Sequence, residues 1–388
     1  MSDPIFSPDG QFMWTGSEWI PAPPTSSQSA NVNLKDSVIG GDVNITQNNA
    51  EDIATAMVQA LERIGFSSQS SPTELTPSQE TEVEKVLEMS EQLAGHGIEI
   101  DPWTEIRLGN AAELAGRTHS AQQHFLRALD TFRKNVDRHG EANSLINLGL
   151  IAKIRGDLAE AERLQLESLA ILKEIGDRGG EASSLINLGN IAEIRGDLVE
   201  AERLQLEALA IKREIGDRQG EASSLNNLGN IARTRGEFAE AERLQLESLA
   251  IKREIGDRQG EARLLINLGL IAKNRGDLAE AERLQLEALA IMREIGDRKG
   301  EASSLLNLGN IAKRRGEFAE AERLYRESLA INREIGNREG EADSLIGLGN
   351  MATQNDNMDE RHRCFTEAVR IQREIGIPIH QWFIDNGY

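Results

Sequence analysis

The sequence predicts an all-α fold in which helix pairs stack in a row, each touching only its neighbours. Three observations lead there. A forty-residue phrase recurs in register, its central glycine falling at Gly109, Gly149, Gly189, Gly229, Gly269, Gly309 and Gly349; a fixed period of this length marks a repeat array. Within a copy the apolar residues lie three and four apart, as on one helical face: Ala182, Leu185, Leu188 and Ala192, then Leu198, Ala201, Leu204, Ala208, Leu209, Ile211 and Ile215. Aromatics are only 4% of the 388 residues, so Leu, Ile and Ala must build the core, and heavy use of Glu and Arg favours helix.

The segments before the array differ from it. Residues 1–20 carry Phe6, Phe12, Trp14 and Trp19 around the turn sequence Ser7-Pro8-Asp9-Gly10, and the alternation of Phe12 and Trp14 predicts a small β-meander. An aromatic docking tag and an arm that packs on its own protein are both open readings. Residues 21–30 are a Pro/Ser linker. Residues 31–47 read as a short β-hairpin turning at Gly40 and Gly41. Its edges offer pairing to copies from other chains, hence a homo-oligomer, and a simple surface hairpin is the other reading. Residues 51–65 place Ile53, Ala56, Met57, Ala60, Leu61 and Ile64 at helical spacing. After a second linker, 66–77, residues 78–96 predict a helix with Val83, Val86, Leu87 and Leu93 on one side, a cap for the first repeat. The array covers 101–376. In the tail, 377–388, Pro378 is expected to break the last helix, and Ile379, Trp382 and Phe383 to fold back as a cap, with a partner-binding hook as the alternative.

Each copy reads as two helices. In residues 181–220, helix A is expected over about Glu181–Ile194 and helix B from Asp197 to a stop at Gly216. Asp197 with Glu200 forms a capping-box-like pair, repeated at Asp157–Glu160 and Asp277–Glu280, while Glu237 and Glu317 are poorer caps. Gly189 sits in mid-helix, where it costs about 1 kcal/mol against Ala. A glycine repeated there implies close approach of another helix.

Leu185, Leu188, Gly189, Ala192, Ala201 and Ala208 match the small and large positions of the tetratricopeptide repeat, and the chain resembles that family over about 101–376. The longer, forty-residue copy looks like the repeats of kinesin light chain and of Pins-type Leu-Gly-Asn scaffolds. The resemblance implies a right-handed superhelix of about seven helix-turn-helix repeats with one concave face. Departures are visible. The family's helix B aromatic is kept at Phe125, Tyr325 and Phe365 but is Gln165, Gln205, Gln245 and Gln285 in between, and those amides need partners or must face outward. Arg361 replaces a small residue, so a looser last pair is expected.

Helix A positions at 0, +4, +7 and +11 share a face. Across copies they form two columns: Asn147, Asn187, Asn227, Asn267 and Asn307, and Asn110, Asn190, Asn230, Asn310 and Asn350, broken by Leu150 and Leu270. Asn is a poor helix former, and an amide offers both donors and an acceptor to an extended backbone. In the resembling families such asparagines clamp a bound peptide, which implies a protein or peptide partner; bonding between repeats is the alternative. Lys153, Arg233, Lys273 and Lys313, with Glu193 as exception, lie beside them. They admit an acidic peptide and fit an ordinary solvated face equally.

The formal net charge is −21, and residues 1–100 hold fifteen acidic against three basic residues, so nucleic acid is not the expected partner. A scaffold or adaptor is the expected function, with a structural homo-oligomer spaced by the repeats as the alternative. No zinc spacing, HExxH, Walker loop or G-x-S-x-G elbow occurs, so no enzyme, metal or cofactor is expected. The single Cys364, a start without an apolar leader and the lack of a long apolar run suit a cytoplasmic chain without a membrane span.

Overall fold

The computed structural model describes the backbone at 5–6, 12–14 and 19–21, and residues 50–388 apart from 68–71, 73–74 and 96. The predicted hairpin 31–47, and the linker 21–30 beyond Pro21, lie outside the described residues. The chain divides into two compact units, 1–151 and 152–388.

In the first unit, strands β1 (Ile5–Phe6), β2 (Phe12–Trp14) and β3 (Trp19–Pro21) pair antiparallel in chain order, Ile5 opposite Trp14 and Trp14 opposite Trp19. Helix α1 (Ala50–Ile64) buries Ile53, Met57, Leu61 and Ile64 and packs on α2 (Pro77–Gly95), which in turn meets the first helix of the array. That helix, Pro102–Leu114, starts at Asp101, whose carboxylate accepts from Thr104 N–H at 2.8 Å. Its partner, Thr118–Lys134, lays Phe125 over Gly109. Between them lies a buried polar cluster: Glu105 accepts from Arg127 Nε at 2.9 Å and sits 2.6 Å from His124 Nδ1. Helix A of the second repeat, Arg138–Ile154, carries the chain to the unit boundary.

The second unit opens with helix B of that repeat, Leu158–Ile175, followed by five pairs: Arg178–Ile194 with Leu198–Glu214, Arg218–Thr234 with Phe238–Glu254, Arg258–Arg275 with Leu278–Ile295, Arg298–Arg315 with Phe318–Glu334, and Arg338–Gln354 with Met358–Glu374. We number these pairs repeats 3 to 7. Helix A begins three residues before the expected Glu181. The reason is a cap the sequence presented only as a turn: the side chains of Asp177, Asp217, Asp257, Asp297 and Asn337 each accept from the N–H three residues on. In helix B the Asp and Asn caps bond likewise, whereas Glu237 and Glu317 make no side-chain cap bond.

Two expectations at the C-terminal end are corrected. The last helix B stops at Glu374 because Gly376 takes a left-handed φ of 73°, before Pro378 is reached. The last pair packs as its predecessors do: Arg361 stays half-buried, its Nε out of water without a partner, and its guanidinium lies over the Trp382 ring at 5.8 Å. The short helix Gln381–Asp385 brings Phe383 to within 5.3 Å of Phe365, and Tyr388 closes the same cluster.

Each junction between repeats 3 to 7 is tied by one buried carboxylate. Glu221 is 7% exposed, and it accepts from Arg213 Nε of the preceding helix B at 2.8 Å and from Arg218 Nη1 of its own first turn at 2.5 Å. The same guanidiniums reach the next helix B, Arg213 to Glu247 at 2.5 Å and Arg218 to Glu254. Glu261, Glu301 and Glu341 repeat the arrangement. Burial opposes the charge on Glu221, but Arg213 and Arg218 outweigh it and hold the carboxyl below its ordinary pKa.

A group depressed on folding stabilises above its unfolded pKa, and that stability disappears as the pH falls through the folded value. Helicity is therefore expected to stay flat down to about pH 5 and to fall below about pH 4, followed by circular dichroism. Removing both clamps, Arg213→Ala with Arg218→Ala, strands a buried carboxylate and is expected to cost about 3 kcal/mol, against about 1 kcal/mol for Glu221→Gln, in urea unfolding. Equal losses would show that the carboxylate is not held by these arginines.

Candidate functional site

In the second unit, helices A of neighbouring repeats approach one another (repeats 3 and 4, 5 and 6, 6 and 7), while helices B make no comparably close pairs among the described residues. Helix A therefore lines the inner side, and the predicted Asn columns belong to it. Their side chains are half-buried.

The columns are partly spent on one another. Asn190 Oδ1 accepts from Gln205 Nε2 at 3.1 Å and from Asn227 Nδ2 at 3.3 Å. Asn227 Oδ1 accepts from Asn226 at 3.4 Å, and Asn226 Oδ1 from Asn267 at 3.0 Å. This amide ladder joins helix A of repeats 3, 4 and 5. Asn187 donates to Gln165 at 3.4 Å, and Asn230 and Asn310 accept from Gln245 at 3.4 Å and Tyr325 at 2.9 Å. Asn307 and Asn350 make no hydrogen bond to the described protein, and the Nδ2 groups of Asn190, Asn230 and Asn310 have no acceptor there. In the first unit Asn147 donates to Asn143 at 3.1 Å. The sequence reading missed Asn226. Its signal was present, since the equivalent positions are Ile146, Ile186, Ile266, Leu306 and Ile346.

The basic residues are half-buried on the same helices, Lys153 at the end of Arg138–Ile154 and Arg233, Lys273 and Lys313 on repeats 4 to 6. Burial, then Arg314 and Arg233, push the Lys273 ammonium below its ordinary pKa. Arg314, also missed, donates to Lys273 O at 3.0 Å. Glu193 is pushed up by partial burial against the pull of Arg233. Among the described residues no group of His, Cys, Asp and Glu is arranged to hold a metal ion, and no helix is long and apolar enough to cross a membrane.

The tetratricopeptide repeat profile matches residues 100–174, 180–254, 260–334 and 300–374. The chain belongs to the tetratricopeptide repeat family. Among solved structures it is similar to a STAND signal transduction ATPase with a tetratricopeptide repeat sensor from Pyrococcus horikoshii (16% identity, 95% of this chain and 51% of that one, TM-score 0.60). A Rap protein complexed with competence and sporulation factor is also similar (12% identity, 84% and 93%, TM-score 0.53), as is a putative kinesin light chain with nearly identical repeats from Podosopora anserina (19% identity, 50% and 95%, TM-score 0.43). No curated protein sequence matches significantly.

Within this tetratricopeptide array the helix B glutamines do the work of the family's aromatic. A Cβ on Gly189 would lie 2.7 Å from Gln205 Nε2, and one on Gly309 2.6 Å from the Tyr325 ring, so both side chains fill the space that glycine opens. Each glutamine reaches helix A through its Nε2, Gln205 to Ile186 O and Gln245 to Asn226 O, both at 3.1 Å. Where Leu270 replaces Asn, Gln285 keeps only the backbone bond to Ile266 O. The Oε1 atoms of Gln205, Gln245 and Gln285 are buried without a partner, the cost of an amide in an aromatic's place. Tyr325 is bulkier, and the next helix A answers with Gly347 in the Asn column: a Cβ there would meet the ring at 2.8 Å.

That pairing can be moved. Gln245→Tyr alone is expected to cost about 1–3 kcal/mol through overpacking against Asn267. Adding Asn267→Gly is expected to recover about 1 kcal/mol, although glycine is itself poor in a helix. Additive losses in a double-mutant cycle of urea unfolding would show that the two positions do not share the space.

Proposed function

We propose that this chain is a non-enzymatic protein–protein interaction scaffold that holds an extended segment of a partner against the helix A face of repeats 3 to 7. The carrying observation is the surplus of donors there. The ladder and the glutamines consume Asn oxygens, while Asn307, Asn350 and the Nδ2 groups of Asn190, Asn230 and Asn310 keep N–H groups with no acceptor among the described residues. An extended peptide offers carbonyl oxygens that such donors can bind without reading side chains. The complex of the similar Rap protein with competence and sporulation factor supports a partner-binding reading of the fold.

Asn307 and Asn350 are the cleanest probes, because neither supports the array by a hydrogen bond. Asn307→Ala with Asn350→Ala is expected to weaken binding of a partner segment about tenfold, read by fluorescence anisotropy, with helicity unchanged. A photo-crosslinking residue at Asn307 should capture the partner, and one at Leu206 on the outer helix B should not. Unchanged affinity in the double variant, or capture only from Leu206, would overturn the groove reading.

A further inference from the structure

The charges on the inner face of the second unit are sorted by repeat. Helix A of repeats 4 to 6 carries Arg233, Arg263, Lys273, Lys299, Lys313 and Arg314; among the described residues none of them closes an ion pair with a carboxylate, and only Arg233 feels one nearby, Glu193 of repeat 3. Elsewhere in the same repeats guanidiniums are paired, as Arg243, Arg283 and Arg323 are with Glu240, Glu280 and Glu320. Arg263 shares its column with Asp343, and Lys299 shares its column with Glu339, two carboxylates of repeat 7 that likewise lack an ion-pair partner. At the other end, repeat 3 holds Glu193 in the column of Arg233, Lys273 and Lys313.

Unpaired cations gathered on one face of an acidic protein are self-repelling, and they raise the local concentration of an anionic partner. Partial burial and neighbouring Glu339 push the Asp343 carboxyl up, as burial pushes Lys273 down, so both bands lie where a charge lacks full hydration. The Asn donors of the same face favour acceptors in the ligand, and carboxylates supply them.

We propose that this face is charge-banded and selects a partner segment by charge register: an acidic block opposite repeats 4 to 6, with a basic residue beside it at the Asp343 and Glu339 end. The proposal rests on the groove reading above and adds the partner's class and its placement. A peptide fits better than a single-stranded nucleic acid. The helix A segments from Arg178 to Gln354 carry no aromatic side chain on which bases could stack, and a phosphate backbone would meet carboxylates at both ends of the basic band.

The test uses the full chain and labelled Gly/Ser peptides of equal length in three forms: an acidic block with a Lys pair beside it at either end, the same residues scrambled, and a neutral control without the charged residues. A single-stranded RNA oligonucleotide is the fourth probe. One banded peptide is expected to bind about tenfold more tightly than the scrambled one, with affinity falling between about 50 and 200 mM salt. Lys273→Gln with Lys313→Gln should weaken it about tenfold. Glu339→Lys with Asp343→Lys should erase the preference for the banded form while leaving the acidic block bound. Equal binding of banded and scrambled peptides, no binding of any acidic peptide, or preference for the RNA would overturn the proposal. If the neutral peptide binds as well as the banded one and Asn307→Ala with Asn350→Ala still weakens it, the charge register fails and the groove reading stands.

Discussion

One buried carboxylate per junction holds the second unit in register. Glu221 and its counterparts sit where helix A of one repeat meets helix B of the repeat before it, and each is gripped by two arginines that also reach the following helix B. The apolar contacts of a solenoid are interchangeable, because Leu and Ala recur at every turn and a slipped stack would bury much the same area. A charged group nearly removed from water has no such freedom. Shifting one helix by a turn would strand it, and a stranded buried charge costs several kcal/mol. The clamp thus supplies specificity where hydrophobic burial supplies only cohesion.

That division leaves the inner face free for other chemistry. The guanidiniums that tie the junctions come from the C-terminal half of helix B and from the two ends of helix A, where Arg235, Arg275 and Arg315 reach back to Glu202, Glu242 and Glu282, so the middle of helix A's exposed stripe carries none of these ion pairs. Amides occupy it instead. Some are structural: the ladder Gln205–Asn190–Asn227–Asn226–Asn267 links three repeats through neutral hydrogen bonds. Others contribute nothing to the fold that the geometry reveals. Asn307 and Asn350 are poor helix formers that, among the described residues, return no side-chain hydrogen bond for that cost.

Much of the fold was legible because its determinants are local and repeated. The interior glycine announced the close helix approach, Asp197 and Asp277 announced caps, and Glu237 and Glu317 their absence. What stayed hidden depended on partners distant in sequence. The early start of helix A was concealed because Asp-Arg-x-Gly reads as a turn until Asp217 is seen accepting from Gly220 N–H. The role of Arg361 required Trp382, which belongs to a tail whose path the repeat does not specify. At the inner face the Asn columns were visible as columns, but periodicity alone could not say which oxygens were spent. Asn226 escaped notice because it occurs once, where the other copies carry Ile or Leu.

The glutamines show why a site residue and a core residue can be hard to separate in a repeat protein. An aromatic ring at the Gln205 position would fill the space beside Gly189 without burying an amide oxygen. The amide instead leaves one buried oxygen unpaired and spends its donors on a helix A carbonyl and on Asn190. That choice costs stability locally, since a buried unsatisfied acceptor is worth about 1–3 kcal/mol. Its return is that the Asn190 oxygen is engaged from behind, while its Nδ2 group has no acceptor among the described residues. Tyr325 reaches the same end by another route, holding Asn310 through its hydroxyl and requiring Gly347 for room. Two different helix B side chains thus converge on orienting the same helix A amide. What the two routes share is the atom they engage, since Gln205, Gln245 and Tyr325 each donate to the Oδ1 of the asparagine at the same helix A position and leave its Nδ2 unused among the described residues.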